Sequence, residues 1–218
     1  MQHSVMIRYI KNLLKKAEMN KLTKNDKAFI AHVKAHCKEL GIKCDLRPTK
    51  WIYCGPNIKC SGYFDSDGKV LVVSMNSKDA LGILVHEYCH LTQWQDGIEL
   101  WDIANVSLGK VERWLQGKRV NHIAKHLAHS RDLELDNERR SLKMMRKWKL
   151  SINEEDYVKK ANAYVHFYNW LYYSRSWSKP GNSPYKNVNI ISIMSGKFNM
   201  KYDQMPRKVF DTFMEEGI

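Results

Sequence analysis

A five-residue motif, HEYCH at positions 86–90, carries the side chains of this chain that are best suited to chemistry. His86 and His90 are four positions apart, so in a helix both imidazoles lie on one face and can bind one zinc ion. Glu87 is then beside the metal and can act as a general base toward water. The motif therefore predicts a zinc centre that hydrolyses its substrate.

The residues on either side of this HExxH motif are apolar in nearly every direction around a helix axis, which is typical of a buried helix. We expect that helix to run from Lys78 to about Gln95 and to end at a turn formed by Asp96 and Gly97. Two imidazoles and a carboxylate in this environment need partners, because an unpaired buried charge is costly. A bound metal supplies such partners; the alternative is a pair of core histidines satisfied by hydrogen bonds.

A hydrolytic zinc site needs a third protein ligand, and four acids alternate between positions 132 and 138. If residues 121–149 form one helix, Glu134 and Glu138 share its apolar face. Asp132 and Asp136 share a face with basic residues instead. We expect the two glutamates to be buried, where a metal would account for them, and the two aspartates to form salt bridges at the surface.

The order of these elements resembles the gluzincin branch of the zincin metallopeptidases: an HExxH helix after a strand hairpin, then a helix with two glutamates four positions apart. The resemblance implies that His86, His90 and Glu134 bind zinc. It also implies that Glu87 is the catalytic base and that Glu138 orients the first histidine from outside the ligand set. Here 43 residues separate the second histidine from Glu134, more than in the thermolysin type, and the outer acid is Glu where Asp is usual.

Residues 50–150 are most similar to small single-domain zincin-like proteins of phage and bacterial genomes, including the ImmA/IrrE-like group. SprT-like DNA-associated proteases are further relatives, but they usually carry a cysteine-rich zinc ribbon, and this chain has no cysteine after Cys89. The resemblance implies a minimal zincin-like fold, a protein or peptide substrate, and a cytoplasmic protein of the phage or bacterial kind, which works in the host cytoplasm if it is a phage protein.

Composition excludes several other classes of protein. The chain has 218 residues, of which 44% are hydrophobic and 27% charged, as in ordinary globular proteins and unlike disordered ones. No apolar stretch approaches the roughly 20 residues of a transmembrane helix. The N-terminus lacks the apolar core of a secretory signal, so we expect the five cysteines to be reduced thiols in a cytoplasmic protein.

The net charge of +13 is unevenly distributed along the chain. Residues 1–50 contain 12 Lys and Arg against 4 Asp and Glu, a balance of +8, and a second basic cluster follows at 139–149. Such a concentration of positive charge attracts nucleic acid or an acidic partner, although its only role can also be to keep the protein soluble. The alternative function is therefore a basic regulatory module that binds nucleic acid or a partner, with narrow or absent proteolysis.

The alternation of elements predicts an α+β fold in one domain spanning residues 1–218. We expect basic helices over 1–41, a small antiparallel or mixed sheet of about three strands over 42–76, metal-binding helices over 77–150, and an aromatic helix with a tail over 151–218. The last two strands should form a hairpin around the turn at 65–68, and the strand at 69–75 should offer a free edge to an extended substrate.

Three groups of residues have weaker signals. His122, His126 and His129 recur at helical spacing and form either a second metal site or a partly exposed row, which we favour. Cys54 and Cys60 would need two further ligands for a structural zinc, and Cys37 and Cys44 are only loosely placed for that role. Zincins also need an oxyanion donor, and five residues of the last long helix are chemically eligible: Tyr164, His166, Tyr168, Tyr172 and Tyr173.

Overall fold

The computed structural model describes residues 22–55, 58–179 and 181–218, and these residues form an α+β protein. The seven helices of this described part are α1 (Lys24–Glu39), α2 (Ala80–Gln95), α3 (Glu99–Leu115), α4 (Ile123–Trp148), α5 (Glu154–Ser174), α6 (Val188–Ile193) and α7 (Arg207–Glu215). Its five strands are β1 (Lys43–Arg47), β2 (Ile52–Gly55), β3 (Ile58–Cys60), β4 (Gly62–Asp65) and β5 (Val70–Ser74). The predicted fold class is therefore confirmed. The first of the helices expected within 1–41 lies outside the described residues.

Three strands form a mixed sheet in the order β1-β5-β4, with β5 parallel to β1 and antiparallel to β4. The predicted hairpin is confirmed: β4 and β5 are joined by a turn in which the Asp65 carboxylate accepts hydrogen bonds from the amides of Asp67 and Gly68. Strands β2 and β3 form a separate antiparallel pair that the sequence analysis did not distinguish from the sheet.

The prediction that the strand at 69–75 offers a free edge is wrong, because β5 is the central strand of the sheet. Val70–Ser74 is almost entirely buried, as expected of a strand that is paired on both sides. The sequence analysis did not predict that β1 pairs with β5, because β1 has a weak strand pattern. Only two of its five residues, Cys44 and Leu46, are apolar. The edge strands of this sheet are β1 and β4.

The contacts of the described residues divide the chain into two compact units, of which the first runs to Thr92 and includes Lys143–Ile152. Its core centres on Phe29 of α1, which packs edge-on against the rings of Tyr88 and Trp148, with both ring centroids at 5.8 Å. The same unit contains the sheet and most of α2.

Thr23 is the N-cap of helix α1, and Asp26 completes a reciprocal capping box with it. The Asp26 carboxylate also accepts hydrogen bonds from the amide and hydroxyl of Ser151, at 2.9 and 2.6 Å. Burial raises the pKa of Asp26, but the hydrogen bonds from Ser151 and Thr23 together outweigh it and hold the pKa below its ordinary value. Asp26 therefore remains ionised and holds the segment after α4 against the start of α1.

The second unit comprises Gln93–Leu142 and Asn153–Ile218, and α5 lies at its centre. The fully buried members of its core come from several helices and include Val111, Phe167, Leu171, Ile190 and Phe213. One stripe of α5 faces this core, since Ala161, Tyr168 and Leu171 are all buried. None of the described helices has both the length and the apolar composition needed to cross a membrane.

Candidate metal centre

The HExxH motif lies in the middle of α2, where the predicted helix is confirmed. The rings of His86 and His90 are half-buried, with centroids 4.7 Å apart and planes at 86°. Glu87 is 8% exposed. Two imidazoles one helical turn apart beside an almost buried carboxylate are the arrangement that the motif predicts.

Strand β4 approaches the motif at Gly62, which has no side chain to obstruct it. A Cβ atom at this position would lie 2.7 Å from Cγ2 of Ile83 and 2.9 Å from Cγ of Glu87. Real Cβ atoms do not approach carbon atoms so closely, so glycine is required for the strand to lie against the side chain of Glu87.

Tyr88 and Cys89, the two variable residues of the motif, are both buried and serve packing. The Tyr88 hydroxyl hydrogen-bonds with Nε2 of His32 and Nδ1 of His36, at 2.9 Å each. Burial raises the pKa of Tyr88 to about 12, so the phenol is neutral and keeps its proton for one of these bonds.

Glu134 of α4 is half-buried, and its Oε1 accepts a hydrogen bond from the Tyr168 hydroxyl at 3.4 Å. The Tyr164 hydroxyl lies 3.2 Å from that of Tyr168. Burial, and next the negative charge of Glu134, raise the pKa of both phenols well above the ordinary value. The two tyrosines therefore remain protonated and can stabilise the carboxylate as hydrogen-bond donors.

Glu138, one turn after Glu134, is 5% exposed and accepts a hydrogen bond of 2.5 Å from the Tyr157 hydroxyl. Glu138 is thus in the interior, as its apolar helix face predicts, whereas Glu134 is only half-buried. The proposed role of Glu138 in orienting His86 stays a prediction.

The two aspartates of the same segment form ion pairs, as predicted. Asp132 accepts from Arg131 at 2.7 Å, and Asp136 accepts from Arg140 at 2.7 Å and from the buried Gln93 amide at 2.8 Å. Their side chains are 46% and 38% exposed. Since Arg131 and Gln93 are themselves buried, these aspartates also satisfy interior polar groups.

One ligand atom from each of His86, His90 and Glu134 lies within 4.8 Å of the other two, so the three side chains could hold a metal ion. Zinc bonds to nitrogen and oxygen of about 2.0–2.2 Å bring ligand atoms to within roughly 4 Å of one another, which small side-chain shifts would achieve here. Two imidazoles and one carboxylate are the donor set of many hydrolytic zinc sites. The residues therefore fit the metal that the motif implies.

The described residues contain no second group of three metal-ligating side chains at this spacing. Among these residues, Cys54 and Cys60 therefore have no third ligand close enough to complete a metal site with them. His126 and His129 each place Nδ1 on the hydroxyl of the buried Ser107, at 3.1 and 2.9 Å, and His122 is exposed. The expectation of a partly exposed histidine row is confirmed.

Of the five candidate oxyanion donors, the structure brings only Tyr164 and Tyr168 to Glu134. Tyr172 and Tyr173 are 50% and 61% exposed. His166 is fully buried, and its ring stacks on Tyr202 with centroids 5.5 Å apart. Spacing alone could have favoured the first pair, because Tyr164 and Tyr168 are one turn apart on the stripe that is buried.

The burial of His166 predicts a pH effect on stability. Burial, and next the charge of Arg131, lower the pKa of His166 to about 4 from the ordinary value of 6.5. Between these values the unfolded chain binds a proton that the folded chain does not, so the free energy of unfolding falls as pH decreases. A loss of up to about 2 kcal/mol between pH 7.5 and pH 5 is expected from this group.

Denaturant unfolding across this pH range checks the effect. The His166→Gln variant should lose less stability on acidification than the wild type, whatever its stability at neutral pH. His122→Gln, which changes an exposed histidine, should keep the wild-type slope. Equal slopes for the wild type and His166→Gln would show that His166 does not titrate in this way.

Comparison of the chain with protein-family models, curated proteins and solved structures found no match. The chemistry must therefore be inferred from the geometry of the site. That geometry combines three converging ligand atoms, a nearly buried glutamate and a protonated tyrosine pair beside one of the ligands.

Proposed function

We propose that the chain is a zinc-dependent metallopeptidase in which His86, His90 and Glu134 hold the metal and Glu87 is the general base. The convergence of the three ligand atoms within 4.8 Å is the observation that carries the proposal. It is supported by the position of Glu87 next to His86 on α2, because a base must lie beside the metal and yet not bind it.

Zinc with two imidazoles and one carboxylate supplies a Lewis acid that polarises a carbonyl and makes water more acidic. Glu87 accepts the proton of the attacking water and returns it to the leaving amine. The Tyr168 hydroxyl donates a hydrogen bond to Glu134 and so helps to orient that carboxylate. Tyr164, hydrogen-bonded to Tyr168, holds the second phenol in place.

Strand β4 is the edge of the sheet along which we expect an extended protein or peptide substrate to pair. It is hydrogen-bonded to β5 on one side, and its Gly62 end lies against Glu87. Backbone pairing with such an edge gives affinity for an extended chain without demanding a particular side chain. The peptide bond to be cleaved would then pass beside the base.

Metal analysis of the purified protein tests the proposal directly. We expect about one zinc per chain after dialysis against metal-free buffer. The double variant His86→Ala/His90→Ala should lose this zinc, because it removes both imidazole ligands. The matched variant His126→Ala/His129→Ala changes the same residue types on α4 and should retain it. A wild-type protein that holds no zinc, and takes up none when it is added, would contradict the proposal.

A further inference from the structure

A shallow, open pocket with a basic lining lies in the unit formed by Gln93–Leu142 and Asn153–Ile218. Its volume is about 590 Å³, and it lies between the last turns of α3, the connection that follows and the start of α4. Five of its lining side chains are basic: Lys110, Arg113, Arg119, His122 and His126. The other two are a valine and an asparagine, so among the described residues no acidic side chain lines this cationic pocket.

The three full charges of the cationic pocket have no carboxylate partner in the part of the chain that the structure describes. Within the described ranges, Lys110, Arg113 and Arg119 form no ion pair. Other arginines of the same unit differ in this respect, since Arg131 and Arg140 each bind a nearby carboxylate. A concave surface that concentrates unpaired positive charge raises the local concentration of anions.

The walls of the cationic pocket are held in position by neighbouring contacts. His126 places its Nδ1 on the Ser107 hydroxyl, which leaves Nε2 for other partners. On the α3 side, the Arg175 guanidinium donates to the carbonyl oxygens of Trp114 and Lys118, at 3.0 and 3.3 Å, and lies over the Trp114 ring. These contacts hold the His126 ring and the backbone at Trp114 and Lys118, which form part of the framework of the pocket.

The local charges also act on one another. Burial lowers the pKa of His126, and the nearby His129 and Lys110 lower it further. Positive groups in the cationic pocket thus repel one another, and a bound anion would relieve that repulsion.

We propose that the cationic pocket binds a phosphate group, either of a nucleic-acid backbone or as a free phosphate. Two arginines and a lysine match the several oxygens of phosphate, because the guanidinium fork can donate two parallel hydrogen bonds. The net charge of +13 adds long-range attraction toward a polyanion. None of the pocket residues belongs to the proposed zinc site, so this function extends beyond hydrolysis.

The test measures binding of two probes, a fluorescently labelled single-stranded oligonucleotide and inorganic phosphate, without any hydrolysis assay. Fluorescence anisotropy at ionic strengths from about 50 to 200 mM follows the first probe, and titration calorimetry follows the second. The variant Arg113→Gln/Arg119→Gln removes two exposed charges of the cationic pocket. The control Lys201→Gln/Lys208→Gln removes two exposed charges of the same unit elsewhere.

We expect the pocket variant to bind the oligonucleotide at least tenfold more weakly than the control variant does. Its salt-dependence slope should also fall by about 1.4, because each phosphate that the protein no longer neutralises lowers the slope by about 0.7. Such a result identifies backbone phosphates as the ligand. Saturable binding of inorganic phosphate alone, abolished in the pocket variant, identifies a free phosphate and also supports the site.

Equal weakening in the pocket and control variants would overturn the proposal, because diffuse surface charge would then account for binding. Failure of the wild type to bind either probe would overturn it as well. Lys110→Gln, on α3, provides a second variant if the double substitution impairs folding. Each of these outcomes leaves the zinc content of the protein unaffected, so failure here is distinguishable from failure of the metallopeptidase proposal.

Discussion

Replacing Glu134 by alanine is expected to lower the affinity for zinc by more than about a hundredfold, since loss of an outer partner alone costs ten- to a hundredfold. The variant loses the only carboxylate among the three ligand atoms that converge within 4.8 Å. It also leaves the hydroxyl of Tyr168 without its acceptor in the interior. Competition with a chromophoric chelator measures the affinity directly.

Asp132→Ala is the matched control, because it removes an equal charge from the same helix two residues away. Its zinc affinity should stay at the wild-type value, although stability should fall as the buried Arg131 loses its carboxylate partner. Asp136→Ala should behave similarly.

Glu138→Ala should weaken zinc binding by roughly ten- to a hundredfold if Glu138 orients a ligand. A larger effect for Glu138 than for Glu134 would mean that their roles are exchanged.

Replacing Glu87 by glutamine is expected to reduce peptide hydrolysis by at least about a hundredfold while zinc stays bound. General bases contribute factors of this size or more, and the amide of glutamine cannot accept the proton. The substitution preserves the size of the side chain, which matters because Gly62 of β4 lies against it. Cleavage of a pool of unstructured peptides, followed by mass spectrometry, provides the measurement.

Glu39→Gln provides the control for this substitution, since it makes the same chemical change at an exposed position of α1. That variant should cleave the pool as fast as the wild type. If Glu87→Gln cleaves at the wild-type rate, Glu87 is not the base. If the zinc-loaded wild type cleaves nothing in the pool, a general peptidase activity is ruled out.

The helices could be predicted from the sequence because their determinants are local. Apolar periodicity and end signals such as Thr23 before α1 and Gly97 after α2 depend on residues only a few positions apart. The grouping of Glu134 with the buried face of α4 followed from the same periodicity. Helical periodicity also separated Glu134 and Glu138 from the ion-paired Asp132 and Asp136.

Features that depend on distant residues could not be predicted in this way. Strand β5 became central because β1, 27 positions earlier in register, pairs with it in parallel. The capping carboxylate of Asp26 binds Ser151, which is 125 positions away. Tyr168 reaches Glu134 across 34 positions. Spacing within one segment contains no information about which distant partner a side chain meets.

The close approach of β4 to Glu87 also restricts which substitutions this sequence can accept during evolution. Any L-residue at position 62 would bring a Cβ atom into the space of Ile83 and Glu87, so either the strand or these two side chains would have to move to accommodate it. Such a movement would shift the edge on which we expect a substrate to pair. Glycine at 62 and glutamate at 87 are therefore expected to be inherited together, although 24 residues separate them in the chain. Position 62 marks a part of the proposed active site that no search for catalytic residue types would find.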